Sequence, residues 1–356
     1  MKRFAALFAL LIMLTASPAL SCSDFLISST DGTHVVGRSM DFSSPLPADL
    51  VVRARGEKWS SPAPNGKTGM QWKQKYGFVG FSVLGMRQVA DGMNEKGLTA
   101  EVLWLPSVGY QEIPASKRGK AMGSSFLPSW VLGSFASVDE VAEALPKVLV
   151  WGREVPEMQM VPTLHMAVHD ASGKSLVVEW VGGKLHMYDN PLGVMTNDPP
   201  FPMQLANLRN YVNLTPWVQN RELEGIQVKG TGYGSGTLGL PGDSTGPSRF
   251  TRLAVMKSFA YQPKNAEEAV TLTRHLLNAV DVLPGVARAK APDGEHTDYT
   301  QWTTIKDLTN LKVHFNSYKD HTLRMVDLKR LDFSRTDYMP INVQTISGNG
   351  ILDVTP

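Results

Sequence analysis

The chain has 356 residues, with 35 basic and 33 acidic side chains, enough length to bury a sizeable core in one large domain or two ordinary ones. Lys2 and Arg3 account for the whole net charge of +2, so the remainder is balanced, which excludes a polybasic nucleic-acid or anionic-membrane binder. The single cysteine, Cys22, excludes an internal disulfide framework and any cysteine-rich zinc or iron–sulfur site within one chain.

Met1-Lys2-Arg3 followed by the apolar run Phe4 to Leu14 reads as the positive and hydrophobic regions of an export signal. The run is too short to span a bilayer, which takes about 20 apolar residues. Ala19-Leu20-Ser21 puts small residues three and one before position 22, the pattern a signal peptidase accepts. Removal of residues 1–21 would leave Cys22 with a free α-amine. Three readings of Cys22 are open. It is a nucleophile whose own α-amine, with a pKa near 7.7–8.0, serves as its base. Or Leu20-Ser21-Cys22 is a degenerate lipoprotein box and the thiol carries a lipid anchor on a non-enzymatic envelope protein. Or it is an inert buried thiol.

Structure is expected to begin at once after Cys22. Ser23 to Ser29 and His34 to Phe42 read as two strands around the turn Thr30-Asp31-Gly32-Thr33. The return strand brings Arg38 and Asp41 back towards the thiol. A guanidinium beside sulfur lowers a thiol pKa, and a carboxylate can orient an amine. An ordinary surface Arg–Asp pair at a hairpin end is the other reading.

Further along, Phe78 to Leu84 and Leu98 to Trp104 read as strands. Ser137-Val-Asp-Glu140 is a capping box opening a helix to about Val150, with Val141, Leu145 and Val148 on one face. Leu164 to His169 and Ser175 to Val181 form a hairpin, and Lys184 to Tyr188 a third strand. His165 and His169 share a strand face without an evident third metal ligand. Gly234-Ser-Gly-Thr-Leu-Gly239 matches a dinucleotide-binding fingerprint, but Pro241-Gly242 follows where a helix is needed. Asn265 to Asn278 is a helix with Ala269, Leu272, Leu276 and Leu277 apolar. Thr300 to Lys306 and Lys312 to Tyr318 form a late hairpin. No repeat or clean linker is visible.

Cys22…Gly37-Arg38-Ser39-Met40-Asp41-Phe42 resembles the start of mature choloylglycine hydrolases and penicillin V acylases, a family of N-terminal nucleophile (Ntn) amidases. Three later segments match in order: Asp91-Gly92-Met93-Asn94-Glu95-Lys96-Gly97-Leu98, Thr196-Asn197-Asp198-Pro199, and Gly239-Leu240-Pro241-Gly242-Asp243…Ser248-Arg249-Phe250. The resemblance, collinear over most of residues 22–330, implies one α+β domain taken over residues 22–356, a four-layer αββα sandwich of two antiparallel sheets between helical layers; residues 330–356 match nothing in it and are read as a C-terminal arm on a neighbour. It implies Cys22 as nucleophile, Arg38 against its sulfur, Asp41 on its amine, Asn197 as an oxyanion donor and Arg249 as a second active-site arginine. The other oxyanion donor falls at Trp104, where bile-salt hydrolases usually carry asparagine.

An indole there favours an aromatic or acyl chain over a hydroxylated steroid, with Met40 and Phe42 as further apolar wall. That departure resembles the Gram-negative penicillin V acylase branch. The expected protein is therefore a periplasmic or secreted homotetramer without metal or organic cofactor. It would bind neither nucleic acid nor, once trimmed, membrane. It would cleave small-molecule acyl amides such as phenoxyacetyl amides and N-acyl homoserine lactones through a thioester. A conjugated bile-salt hydrolase is the alternative.

Overall fold

The computed structural model describes residues 21–291 and 294–345; the expected export signal through residue 20 and the end of the expected arm lie outside the described residues. Two antiparallel sheets face each other. One has seven strands, ordered Val194–Met195, Ser23–Ser28 (β1), His34–Phe42 (β2), Gly294–Asp307, Lys312–Ser317 and Asp320–Asp327, with Ala287–Ala291 paired to Gly294–Asp307 beside that path. The other has eight, ordered Lys184–Asp189, Ser175–Val181, Leu164–His169, Thr99–Trp104, Val89–Asn94, Phe78–Val83, Ala48–Arg53 and Ile341–Asn342.

Helices cover both outer faces. Leu127–Ser134 (α1) and Val138–Ala144 (α2) pack on the eight-stranded sheet. Phe201–Asn207 (α3) leans on Gly246–Phe259 (α4), which with Ala266–Asn278 (α5) covers the seven-stranded one. This is the expected αββα sandwich. Strands covered on both faces need not alternate in hydrophobicity, and Phe78–Val83 and Thr99–Trp104 are buried at every residue. Two cores result. Met93, Leu103 and Val177 face the space between the sheets, and Phe25, Val35 and Ile305 extend the same cluster to the α5 side of the seven-stranded sheet. Ala100, Val102, Trp130, Val131, Val141 and Trp180 fill the space under α1 and α2.

The predicted elements recur with two differences. The helix expected to reach Val150 ends as α at Ala144, turns once more through Leu145–Lys147, and gives way to the strand Leu149–Trp151. Pro146 has no N–H to continue it. Its cap is as expected, with Ser137 accepting from the Glu140 N–H at 3.3 Å. The second difference is a set of elements with no predicted counterpart, among them Ala48–Arg53, Asp320–Asp327, α1, α3 and α4; the last carries Arg249, opens on Gly246-Pro247 and has a short apolar face. The tail described as far as residue 345 lies on its own chain. Phe333 is buried against Gly77, and Ile341–Asn342 pairs with Ala48–Arg53.

Candidate active site

The β1–β2 hairpin sets the site. Its register pairs Ser23 with Ser39 and Asp24 with Arg38, so Cys22 falls beside Met40 and Asp41. The Cys22 thiol lies 3.6 Å from the Asp41 carbonyl oxygen and 3.9 Å from Met40 Sδ, and it is buried. Arg38 donates Nη2 to the Val102 carbonyl at 2.8 Å and Nη1 to Asp91 Oδ2 at 3.3 Å. The expectation that this guanidinium would lower the thiol pKa is reversed in sum. Burial pushes the Cys22 thiol up to about 11, outweighing the pull of Arg38. Part of the reason is that Arg38 is already paired with Asp91.

Asp41 accepts from the Ser39 hydroxyl at 3.0 Å and the Thr300 hydroxyl at 2.5 Å. Burial lifts its carboxyl to about 7, against the pull of Arg249 and of those two hydroxyls. Ser21, still joined to Cys22, is buried and hydrogen-bonds Asp298, whose carboxyl burial lifts to about 6.

Asn197 and Arg249 close the other side. Arg249 donates Nη1 to the Cys22 carbonyl at 2.5 Å and to Ser23 Oγ at 2.6 Å, Nη2 to Asn197 Oδ1 at 2.6 Å, and Nε to the Ser244 carbonyl at 2.9 Å. A guanidinium only donates, so it fixes which end of the Asn197 amide is oxygen. Nδ2 then points the other way and gives one hydrogen to the Trp104 carbonyl at 2.8 Å, leaving a second. Leu105 N–H donates to the Thr163 carbonyl at 2.8 Å. Antiparallel alternation therefore turns the N–H and C=O of Trp104 to the opposite edge, the one where Asn197 sits. The expected second donor shares an edge with the first.

Behind these groups runs a chain of buried charges that motif reasoning missed. Lys306 Nζ lies 2.6 Å from Asp91 Oδ1 and 3.0 Å from Glu101 Oε1, all fully buried. His169 meets Asp24 at 2.6 Å. The period-2 rule could have flagged Glu101, a charge inside an otherwise apolar strand. Also missed were Gln204, which donates to the Asn197 and Pro199 carbonyls at 2.5 and 2.8 Å, and Glu179, which pairs with His165 at 3.1 Å. The two histidines are thus each met by a carboxylate. Ligand atoms of Asp24, Glu101 and His169 lie within 4.8 Å of one another, but they already engage His169, Lys306 and Asp24 in turn. The glycine-rich run is a turn around Ser235–Thr237 and opens no helix.

A cleft opens at the thiol. Cys22, Arg38 and Asp41 form its foot, and Met40, Phe42 and Trp104 are among its walls. Residues 22–341 match the linear amide C–N hydrolases of the choloylglycine hydrolase family. The chain belongs to that family. It is a hydrolase of linear amide carbon–nitrogen bonds.

Relatives in the family fall on two sides. The bile salt hydrolase/transferase of Clostridium perfringens is 32% identical over 317 residues, 87% of this chain and 93% of that protein. The penicillin V acylase of Pectobacterium atrosepticum is 27% identical over 345 residues, 91% of this chain and 85% of that protein. A solved variant of the conjugated bile acid hydrolase from Clostridium perfringens superposes with a TM-score of 0.80 at 29% identity, covering 94% of this chain and 100% of that one. Penicillin V acylase from Agrobacterium tumefaciens gives 0.71 at 28% identity, covering 88% of each.

Proposed function

We propose that the chain is exported, is trimmed before Cys22, and hydrolyses acyl amides of small molecules with Cys22 as its N-terminal nucleophile. The supporting observation is the lone thiol at the foot of an apolar cleft, flanked by an Asn197 amide that Arg249 holds donor-outward.

The thiol rests neutral in its buried setting. The freed α-amine takes its proton as sulfur adds to the substrate carbonyl carbon, and the carbonyl electron pair moves onto oxygen. Asn197 Nδ2 and the Trp104 N–H receive that oxyanion. The ammonium then protonates the leaving nitrogen as the C–N bond breaks, leaving a thioester and a free amine. The Cys22 α-amine, neutral again, next takes a proton from water. The hydroxide adds to the thioester carbon, the C–S bond breaks, sulfur regains its proton and the acid departs. Asp41 orients the amine, and Arg249 ties the nucleophile's own carbonyl to the oxyanion amide.

The substrates favoured are phenoxyacetyl amides and N-acyl homoserine lactones, because Trp104, Met40 and Phe42 give the cleft aromatic and apolar walls. Conjugated bile salts are the second reading, favoured by the 32% identity to a bile salt hydrolase/transferase. The rival of another class is a lipid-anchored binding protein. A periplasmic or secreted homotetramer completes the proposal. Support for assembly comes from the exposed apolar side chains around the hairpin Arg221–Leu223 and Ile226–Val228, among them Trp217, Leu223, Ile226 and Leu238.

The test is a panel of phenoxyacetyl, long-chain acyl lactone and steroid amides run on wild type, Cys22→Ser and Trp104→Asn. Cys22→Ser should lose nearly all turnover, and near-normal turnover removes the proposal. Trp104→Asn should move preference towards the steroid amide. Intact mass of the exported protein should show an unmodified Cys22 as first residue; a lipid adduct supports the rival. Light scattering reads the assembly.

A further inference from the structure

Thr300 sits opposite Asp41 in the register of β2 with Gly294–Asp307, and a bulge follows before Trp302. Its hydroxyl donates to Asp41 Oδ1 at 2.5 Å and accepts the Val282 N–H at 3.0 Å, while its own N–H donates to the Val282 carbonyl at 2.9 Å. Those two ties bring the neighbouring Asp281 carboxyl onto the same hydroxyl, which hydrogen-bonds it as well. A hydroxyl has one hydrogen to give, so two carboxylates compete for it. Asp41 has no exposed surface. Asp281 is half-buried and lines a second cleft with Arg274 and Asn278 of α5, Tyr318 and His321, all four exposed. The pair therefore has an inner end and a solvent-facing end. Around the outer end, Arg274 turns Nη2 to the His321 carbonyl at 3.3 Å, His321 attracts the Asp281 carboxylate, and Tyr318 adds a phenol. Asp298, two residues before Thr300, meets Ser21 and Arg249 instead. Burial lifts the Asp281 carboxyl above its usual range, against the Thr300 bond and His321, and the Asp281 charge adds to the lift on Asp41.

We infer that Asp281 is a positioning residue for the reaction, acting on Asp41 through the Thr300 hydroxyl that the two carboxyls share. This rests on the amidase reading, in which Asp41 orients the Cys22 amine. With Asp281 ionised, the hydrogen is contested and a like charge faces Asp41. Both disfavour the Asp41 carboxylate. With Asp281 protonated, the like charge is gone, and its own O–H turns to the second lone pair of the Thr300 oxygen. The Thr300 hydrogen is then committed to Asp41. A carboxyl that the medium reaches thus sets how firmly the buried one keeps its charge, and with it the hold on the amine. Asp281→Asn fixes the second arrangement at every pH, because it removes the charge and offers an amide N–H to the Thr300 oxygen.

The experiment measures the pH profile of kcat/KM on the best amide of the panel, in the trimmed protein, for wild type and Asp281→Asn, each also combined with Thr300→Val and Thr300→Ser. Removing a negative charge lowers the pKa of every group beside it. The acid limb should therefore move to lower pH whether it belongs to Asp41, to the amine or to the two as a coupled pair. The ratio of kcat/KM at about pH 5 to that at about pH 8 should rise about threefold over wild type, the effect of a limb displaced by about half a unit. With Thr300→Val the same substitution should raise the ratio by a smaller factor, and with Thr300→Ser, which keeps the hydroxyl, by the full one. A merely structural Asp281 would scale the whole profile and leave the ratio at its wild-type value. That result overturns the inference while leaving the amidase reading intact. Equal rises with and without the hydroxyl overturn it too, since the charge would then act directly across space. Asp281 is half-buried, so Asp281→Asn alone keeps the inference open to refutation if Thr300→Val fails to fold. A wild type that turns over no amide of the panel removes the amidase reading and the inference with it.

Discussion

The Arg249 guanidinium meets Asn197 Oδ1 at 2.6 Å, and the far end of the same amide meets the Trp104 carbonyl at 2.8 Å. Asn197 is thereby held at both ends with one N–H left over. Arg249→Lys keeps a charge but loses the planar fork that reaches Cys22 O, Ser23 Oγ and Asn197 together. Loss of an oriented oxyanion donor costs about 10²–10³ in kcat. We expect Arg249→Lys to fall in that range with KM changed far less, in steady-state kinetics on the best amide of the panel. A drop confined to KM would reassign Arg249 to substrate binding.

The fully buried carboxyl of Asp41 sits near 7 while Ser21 is still attached. A carboxyl raised from its unfolded value binds its proton more tightly in the folded state. The stability it contributes is complete below the unfolded pKa near 3.8 and is lost as pH rises through about 7. The full span is worth on the order of 4 kcal/mol. Asp41→Asn removes this dependence. In protein retaining Ser21, the melting temperature of Asp41→Asn relative to wild type should therefore climb as pH goes from about 5 to about 8. In the trimmed protein an ammonium beside Asp41 stabilises the carboxylate, so the climb should shrink. A difference that stays flat with pH in both forms would mean that Asp41 is ionised throughout.

Lys306 neutralises both Asp91 and Glu101 between the sheets. Lys306→Met has a fitting volume but leaves buried Glu101 without its cation and Asp91 with Arg38 alone. Breaking a buried pair from one side typically costs about 3–5 kcal/mol. Burial already lifts Glu101 to about 7, and removing the ammonium should lift it further. The urea midpoint should fall, and the loss should be larger at about pH 8 than at about pH 5, where the carboxyls are protonated more readily. Equal losses at both would place the cost in packing instead.

How much of this site is legible in the amino-acid sequence follows from how local each signal is. The hairpin after Cys22 is fixed by a four-residue turn and by apolar positions on either side, so residues 22–42 alone reveal the approach of Arg38 and Asp41 to the thiol. The roles of Asn197, Trp104 and Arg249 come only through family resemblance, because Asn197 and Arg249 are 52 residues apart and Asn197 and Trp104 are 93 apart. The Lys306–Glu101 pair spans 205 residues, and no spacing rule reaches that far. The net effect on the thiol escapes local patterns for a related reason. Proximity of Arg38 is visible in a strand register, whereas complete burial and the Asp91 partner arise from the second sheet.

Gln204 carries the next prediction. Its amide bridges the Asn197 and Pro199 carbonyls, and its oxygen accepts from Thr196 Oγ1 at 2.8 Å. Gln204→Leu keeps the volume and frees the backbone that positions the oxyanion amide. Small displacements of a preorganised donor are expensive in rate. We expect kcat to fall by about tenfold, as for one lost positioning bond, with KM nearly constant. Gln204→Glu should recover the acceptor towards Thr196 but not the two donors, and so should not restore the rate. A variant whose rate matches wild type would show that His165, which donates Nε2–H to the Thr196 carbonyl at 2.8 Å, holds the segment by itself.

Gly37 precedes Arg38 where β2 runs under α5, and a Cβ there would meet Thr273 Cγ2 at 2.5 Å and Phe25 Cζ at 2.8 Å. Both neighbours are fully buried, so neither can swing into solvent. Gly37→Ala should force α5 away from the sheet, at the roughly 1–3 kcal/mol typical of overpacking. Because Arg38 is the next residue, the shift should also reach the thiol, and kcat should drop together with the urea midpoint. Thr273→Ser removes the methyl that clashes and keeps the hydroxyl that donates to the Ala269 carbonyl at 2.7 Å. Added to Gly37→Ala, it should recover part of both losses, though Thr273→Ser alone is mildly destabilising. Two sites in contact should give such a non-additive cycle. Strict additivity would mean that the cost of the alanine lies against Phe25 and not against α5.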